Sequence, residues 1–219
     1  YLRILRFFRF HAWYGGDAPD ATGLAACAEL ADGIDGLSRE RLGAEMVKLL
    51  RAPDPAPSVA AMRMSGVLSR VLPGAEDTFL APLVHVEGEC GTGVDALRRL
   101  AILGGEEVDK RLRLSRAQAR TLAILRRCLA GTEPAIELGY RHGMVLGESI
   151  LALRAAMQNR GVTPAEKADL AKGSAAQFPV TAQDLMPDYE GPTLGAKLNE
   201  LEAQWLASGC TLTRDALLS

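Results

Sequence analysis

Apolar residues recur three and four positions apart along most of this chain, and that period predicts helices. The first runs through Leu2, Ile4, Leu5, Phe7, Phe8 and Phe10 and stops at Gly15-Gly16, a pair suited to a left-handed helix end. Asp17-Ala-Pro-Asp20 reopens the chain as a loop, and a second helix through Leu24, Cys27, Ala28 and Leu30-Ala31 stops near Gly33 to Gly36. Ser38 then caps a helix over 38–51 that turns Leu42, Met46, Leu49 and Leu50 inward. Pro53-Asp-Pro55-Ala-Pro57 marks a boundary, since alternating prolines stiffen a connection and cannot sit inside a helix. Ser58 is expected to cap the next helix, with Val59, Met62, Val67 and Leu68 inward and Pro73-Gly74 as its end.

Between Ala75 and Thr92 the pattern weakens. Leu80 to Val86 has strand-like composition but no partner strand, so loop and short helix are expected there. Helices resume over 94–103, closed by Gly104-Gly105, and over 116–130, where Ser115-Arg-Ala-Gln118 reads as a capping box. Two more are expected at 133–140 and 144–157, separated around Gly143. Thr163-Pro-Ala-Glu166 is a second capping box, for a helix reaching about Lys172. After an irregular stretch, the last long helix at 193–207 gathers Leu194, Leu198, Leu201 and Trp205 on one stripe. Strand patterns are otherwise missing, so the fold expected is all-α, with roughly ten helices joined by short links.

Composition narrows this picture. With 219 residues and 48% hydrophobic content the chain can bury a sizeable core. Its net charge of −2 excludes a globally basic nucleic-acid binder, so any such surface must come from local segregation of charge. Cys27, Cys90, Cys128 and Cys210 form no Cys-x-x-Cys pair, which argues against a zinc site or a disulfide scaffold. His11, His85 and His142 lack metal-type spacing, and no nucleophile elbow occurs. Gly88-Glu-Cys-Gly-Thr-Gly93 lacks the Gly-Lys-Ser/Thr ending of a phosphate loop and reads as plain loop. No apolar run is long enough to span a membrane. A soluble, reduced, cytoplasmic protein is therefore expected. The chain opens inside a helix, with neither methionine nor cap before Leu2, which is expected of a piece of a longer protein.

Two charge patterns carry the candidate chemistry. Arg3, Arg6 and Arg9 interrupt the first apolar helix and fan over about 120° of its surface. No carboxylate precedes Asp17, so their partner is either an external anion such as a phosphate or a carboxylate from elsewhere in the chain. The second pattern is the run from Lys110 to Arg127, with seven basic and no acidic residues. On its helix Arg116, Arg120 and Arg127 fall within about 40° of each other, opposite Leu122, Leu125 and Leu129. Such a stripe is either a solvated face or an RNA-backbone site, to which Arg113 and, near the C-terminus, Lys197 are added as candidates.

The stretch Leu2-Arg3-Ile4-Leu5-Arg6-Phe7-Phe8-Arg9-Phe10 resembles the neck helix of bacterial class II tRNA nucleotidyltransferases, the CCA-adding enzymes, and of the related bacterial poly(A) polymerases. In that family the helix opens Glu-Asp-x-x-Arg, whose Asp and Arg read the base edge of incoming CTP or ATP. Arg3 matches the arginine, Arg6 and Arg9 match further nucleotide-binding positions, and the Glu-Asp pair would precede Tyr1. Leu37-Ser38-Arg39-Glu40-Arg41-Leu42 with Glu45 is similar to the segment that braces this helix, and 180–195 is similar to the family's tail. The resemblance implies a neck (1–52), a helical body (53–172) and a tail (173–219) that bind a nucleoside triphosphate and the 3′ end of tRNA or another RNA. It also implies that the catalytic head, with its Mg2+-binding aspartates, is not in this chain, which has no Asp-x-Asp, and that the fragment alone is inactive. The alternative is a non-enzymatic helical scaffold that binds a protein partner and keeps its arginines in internal ion pairs.

Overall fold

In a computed structural model, which describes every residue except Asp17, the chain is all-α among the described residues, with ten helices of seven or more residues. The expected loop beginning at Asp17 lies partly outside the described residues; Asp20, at its end, caps the second helix by accepting from the Gly23 amide at 2.7 Å. The chain forms two units: 1–131 with 152–162, and 132–151 with 163–219.

The first unit begins with α1 (Leu2–Tyr14), α2 (Ala21–Glu29), a 3-10 turn (Ala31–Gly36) and α3 (Arg39–Leu50). Ser38 stands at the start of α3, but its hydroxyl makes no capping bond. The proline stretch differs from expectation. The next helix, α4 (Ala56–Met64), starts within it, because Pro57 sits in the first turn, where no backbone N–H is needed. Ser58 is consequently not a cap: it is fully buried and pairs with Nδ1 of His11 at 2.6 Å. Gly66, at φ 74°, separates α4 from α5 (Val67–Val71), and both turn their apolar residues into one core with Phe8, Ile34, Met46 and Leu50.

The weakly patterned region holds a full helix, α6 (Leu80–Cys90), in place of the expected loop and short helix. Leu80, Leu83, Val86 and Glu87 are buried at helical spacing, and Pro82 is tolerated because it falls in the first turn. Gly88 is helical, and Gly91 ends α6 at φ 67°. Then come α7 (Ala96–Leu103), α8 (Val108–Arg111) and α9 (Arg116–Leu129), the last opened by the expected Ser115/Gln118 capping box. Helix α10 (Ala135–Met157) is broken at Gly143, as expected, and its last residues belong to the first unit.

In the second unit α11 (Pro164–Ala175) carries the Thr163/Glu166 box and runs three residues past the expected Lys172. A 3-10 turn (Ala182–Asp184), α12 (Gly191–Ala207) and a final α13 (Arg214–Leu218), not anticipated from the sequence, complete it. Trp205 centres this core: the rings of Tyr140 and Phe178 meet it edge-on at 5.2 and 5.6 Å, and Val180, Leu185, Leu201 and Leu217 surround it.

Candidate nucleic-acid interface

Helix α1 buries Ile4, Leu5 and Phe8 against α3 and α4, which leaves its arginines along the remaining surface. Arg3 is exposed, and no carboxylate among the described residues pairs with it. Arg6 and Arg9 converge on one residue of α3: their Nε atoms lie 3.7 and 2.9 Å from the two carboxylate oxygens of Glu45. Glu45 is buried, at 5% exposure, so this is an anchored carboxylate between two cations. For Arg6 and Arg9, then, the internal-carboxylate option is the one the structure contains. Three cations still face one carboxylate along this helix, so the strip stays positive.

Helix α3 is held in place at both its middle and its end. Gly43 lets the Leu112 carbonyl approach so closely that a Cβ there would stand 2.0 Å from its oxygen. Beyond the helix end, Arg99 donates to the carbonyls of Leu50, Ala52 and Pro53 at 2.7, 2.5 and 3.1 Å. Arg99 is 1% exposed and shares the buried Glu87 with Arg98, whose Nε donates to Glu87 at 2.8 Å. This buried triad was not legible in the sequence. Arg98-Arg99 looks like the outer face of an amphipathic helix, and the one available signal is that Glu87 falls in phase with the buried Leu80, Leu83 and Val86. Farther along α1, Trp13 ties the two helices by donating its indole N–H to the Lys48 carbonyl at 2.9 Å.

The basic run divides by role. Arg126 folds inward, caps the carbonyls of Gly104 and Gly105, and has its guanidinium pKa pushed down by burial. Lys110 pairs with Glu107, and Arg113, in the left-handed region at φ 49°, lies 3.4 Å from Glu40. Arg116, Arg120 and Arg127 are exposed on one side of α9, with no carboxylate partner among the described residues. Arg39 of α3, which charge patterning alone did not single out, joins Lys110, Arg113 and Arg116 around a cleft of about 700 Å³. Asp109 is the one acid in its lining. Lys197 belongs to α12 in the second unit and pairs with Glu200 at 3.1 Å.

Among the described residues no three His, Cys, Asp or Glu side chains gather as a metal site, and no helix is long and apolar enough to cross a membrane. His85 faces Glu89 at 3.3 Å on an exposed turn of α6.

Comparison with known proteins follows these same elements. A family model described as the probable RNA and SrmB-binding site of polymerase A matches residues 20–79, from α2 through α5. A multifunctional CCA protein of Halorhodospira halophila (strain DSM 244 / SL1) is 34% identical over 99 residues, covering 42% of this chain and 24% of that protein. Among solved structures, a CCA-adding enzyme with CTP superposes with a TM-score of 0.64 at 19% identity, covering 99% of this chain and 58% of its own. A CCA-adding enzyme with ATP gives 0.62 at 18% identity, over 98% and 57%. The Thermotoga maritima CCA-adding enzyme complexed with tRNA gives 0.54 at 16% identity, over 91% and 55%. The chain thus spans about a quarter of its curated relative and somewhat over half of each solved relative. A sequence model, a curated protein and solved folds thus each find this chain similar to part of the CCA-adding enzymes and of polymerase A, and its fold is one that CCA-adding enzymes share.

Proposed function

We propose that this chain is the base-selecting and RNA-holding helical portion of an RNA 3′-end nucleotidyltransferase, with nucleotidyl transfer itself carried by residues outside it. The observation that carries this reading is the arrangement on α1: Glu45 holds Arg6 and Arg9 side by side, while Arg3 stays exposed and unpaired one turn earlier. An arginine fork kept open beside an anchored pair is suited to the polar edge of a base, and Arg6 and Arg9, half satisfied by one carboxylate, retain charge for phosphates. ATP and CTP are the nucleotides of this reading, supported by the solved relatives that carry them. Mg2+ belongs with the transfer chemistry outside these residues; without its partner the chain binds but does not catalyse, in the cytoplasm where RNA 3′ ends are completed.

The exposed face of α9, with Arg113 and the cleft beside it, holds the RNA backbone in this proposal, and Lys197 contributes from the tail. Whether the parent adds CCA or poly(A) turns on residues outside this chain. The protein-scaffold reading draws support from the Arg6–Glu45–Arg9 pairing, which it anticipated; the unpaired Arg3 and the unpaired α9 stripe favour the RNA reading.

Filter binding of tRNA at two salt concentrations tests it. Replacing Arg116, Arg120 and Arg127 together by glutamine should weaken binding and flatten the dependence of log K on log salt by about 2, as expected for three lost phosphate contacts. An unchanged slope would remove α9 from the interface.

A further inference from the structure

All the exposed aromatic side chains among the described residues lie within the first fourteen positions: Tyr1, Phe10, Trp13 and Tyr14. The last three stand together at the C-terminal end of α1, 52%, 43% and 79% exposed. Water-facing rings in a group are costly to leave uncovered, and these are arranged rather than scattered. The Phe10 and Tyr14 rings lie 6.1 Å apart, tilted by 31° to one another, and the Arg9 guanidinium sits 4.6 Å from the Phe10 centroid. Trp13 is pinned by its bond to the Lys48 carbonyl, which spends its one polar donor and leaves its ring face as the available surface.

Lys48 on α3 and Arg51 just past its end, both exposed, complete a groove of about 370 Å³ with Arg9 and the three rings. No acidic residue lines it, and no carboxylate among the described residues pairs with Lys48 or Arg51. An adjoining cleft shares Lys48 and Arg51 and continues past Glu40, its one acid, to Arg113 and Gln118 at the foot of α9. Rings beside unpaired cations, on a path that leads to the basic face, match the chemistry of a single strand, whose bases offer π faces and whose backbone offers phosphates.

We propose that Phe10, Trp13 and Tyr14 form a stacking platform for an unpaired RNA base, with Lys48 and Arg51 on the flanking phosphates. The platform lies about two to three turns of α1 beyond Arg3 and is a different site from the base-selecting arginines. It rests on the reading that the chain binds RNA, and adds to it a contact that senses bases without regard to which base is present.

The test compares two six-nucleotide RNA oligomers at one salt concentration, one of adenosines and one with abasic riboses, so that the charge is equal and the bases differ. Binding to the 219-residue chain is followed by fluorescence anisotropy of the labelled oligomer and by tryptophan emission. The adenosine oligomer is expected to bind about five- to ten-fold more tightly and to quench the emission of the exposed Trp13, whereas Trp205 is buried. Phe10→Ser with Tyr14→Ser should abolish that preference while abasic binding stays the same. Both side chains are more than half exposed, and an unchanged circular-dichroism melt confirms that the variant folds. Equal binding of the two oligomers by the native chain, or a preference retained in the double variant, overturns the platform and leaves the rings to a protein partner. Failure of both oligomers to bind overturns the RNA reading as well.

Discussion

Glu87 shows how much one residue can carry here. It is 4% exposed and accepts from Arg98 and Arg99, and Arg99 in turn closes the end of α3, the helix on which Glu45 anchors Arg6 and Arg9. Two guanidinium groups therefore share one buried carboxylate, and the remaining positive charge is spread over backbone carbonyls. Breaking such a pair while leaving its partners buried typically costs about 3–5 kcal/mol. Glu87→Gln keeps the side-chain volume and removes only the charge, so a fall of that size in unfolding free energy by urea titration is expected. A loss below about 1 kcal/mol would mean the carbonyls alone suffice for both arginines. The candidate arginines divide on the same physics. Arg3, Arg6, Arg9, Arg116, Arg120 and Arg127 are legible from their spacing, whereas Glu45 is marked only by its resemblance to the bracing segment and Glu87 is not marked, since a carboxylate in an amphipathic helix looks the same whether it faces water or a buried cation.

At the scale of elements, the well-read helices are those with local signals. The Ser115/Gln118 and Thr163/Glu166 boxes and the break at Gly143 depend on residues within four positions of one another. Over 75–92 the sequence reads as loop and short helix; helix α6 is longer than that, because Leu80, Leu83 and Val86 keep a helical spacing within a strand-like composition and Pro82 is accommodated in the first turn. Ser58 has the look of a cap in the local sequence, and its actual partner, His11, is 47 residues away. Close approach of elements has the same non-local character. Gly43→Ala would set a methyl 2.0 Å from the Leu112 carbonyl oxygen, and since that atom is backbone, α3 and the segment after α8 must move apart. A destabilisation of about 1–3 kcal/mol is expected, as for other overpacked sites, with the thermal midpoint as the measure. Gly36→Ala, where a methyl would meet nothing within 4 Å, serves as the control that should leave the midpoint nearly unchanged.

At the scale of the whole molecule, each unit carries one tryptophan, Trp13 in the first and Trp205 in the second, so the second can be followed alone in a Trp13→Phe background. Its surface is tied by Arg214 to Asp184, whose carboxyl is lowered to about 2, first by that guanidinium and then by the Thr181 amide and hydroxyl. A depressed carboxyl stabilises the fold above its ordinary value near 3.8, and the contribution is lost as pH falls through about 2. The stability gap between the native chain and Asp184→Asn, read from Trp205 emission in urea, should therefore be steady above pH 4 and shrink between 4 and 2; a gap independent of pH would exclude the pair as its source. The same division by distance runs through the chain as a whole. The all-α class, most helix boundaries, the arginine and basic stripes and the family resemblance are local properties, each written in periodicity, capping and motifs spanning a few neighbouring residues. Packing of distant segments is what sets Glu45 against Arg6 and Arg9 while Arg3 stays open, turns Arg126 inward while Arg127 faces water, and lines a ring-and-cation groove along α1 and the end of α3. Those outcomes depend on which side chains from distant segments meet and which lose water, and burial is a property of the packed chain.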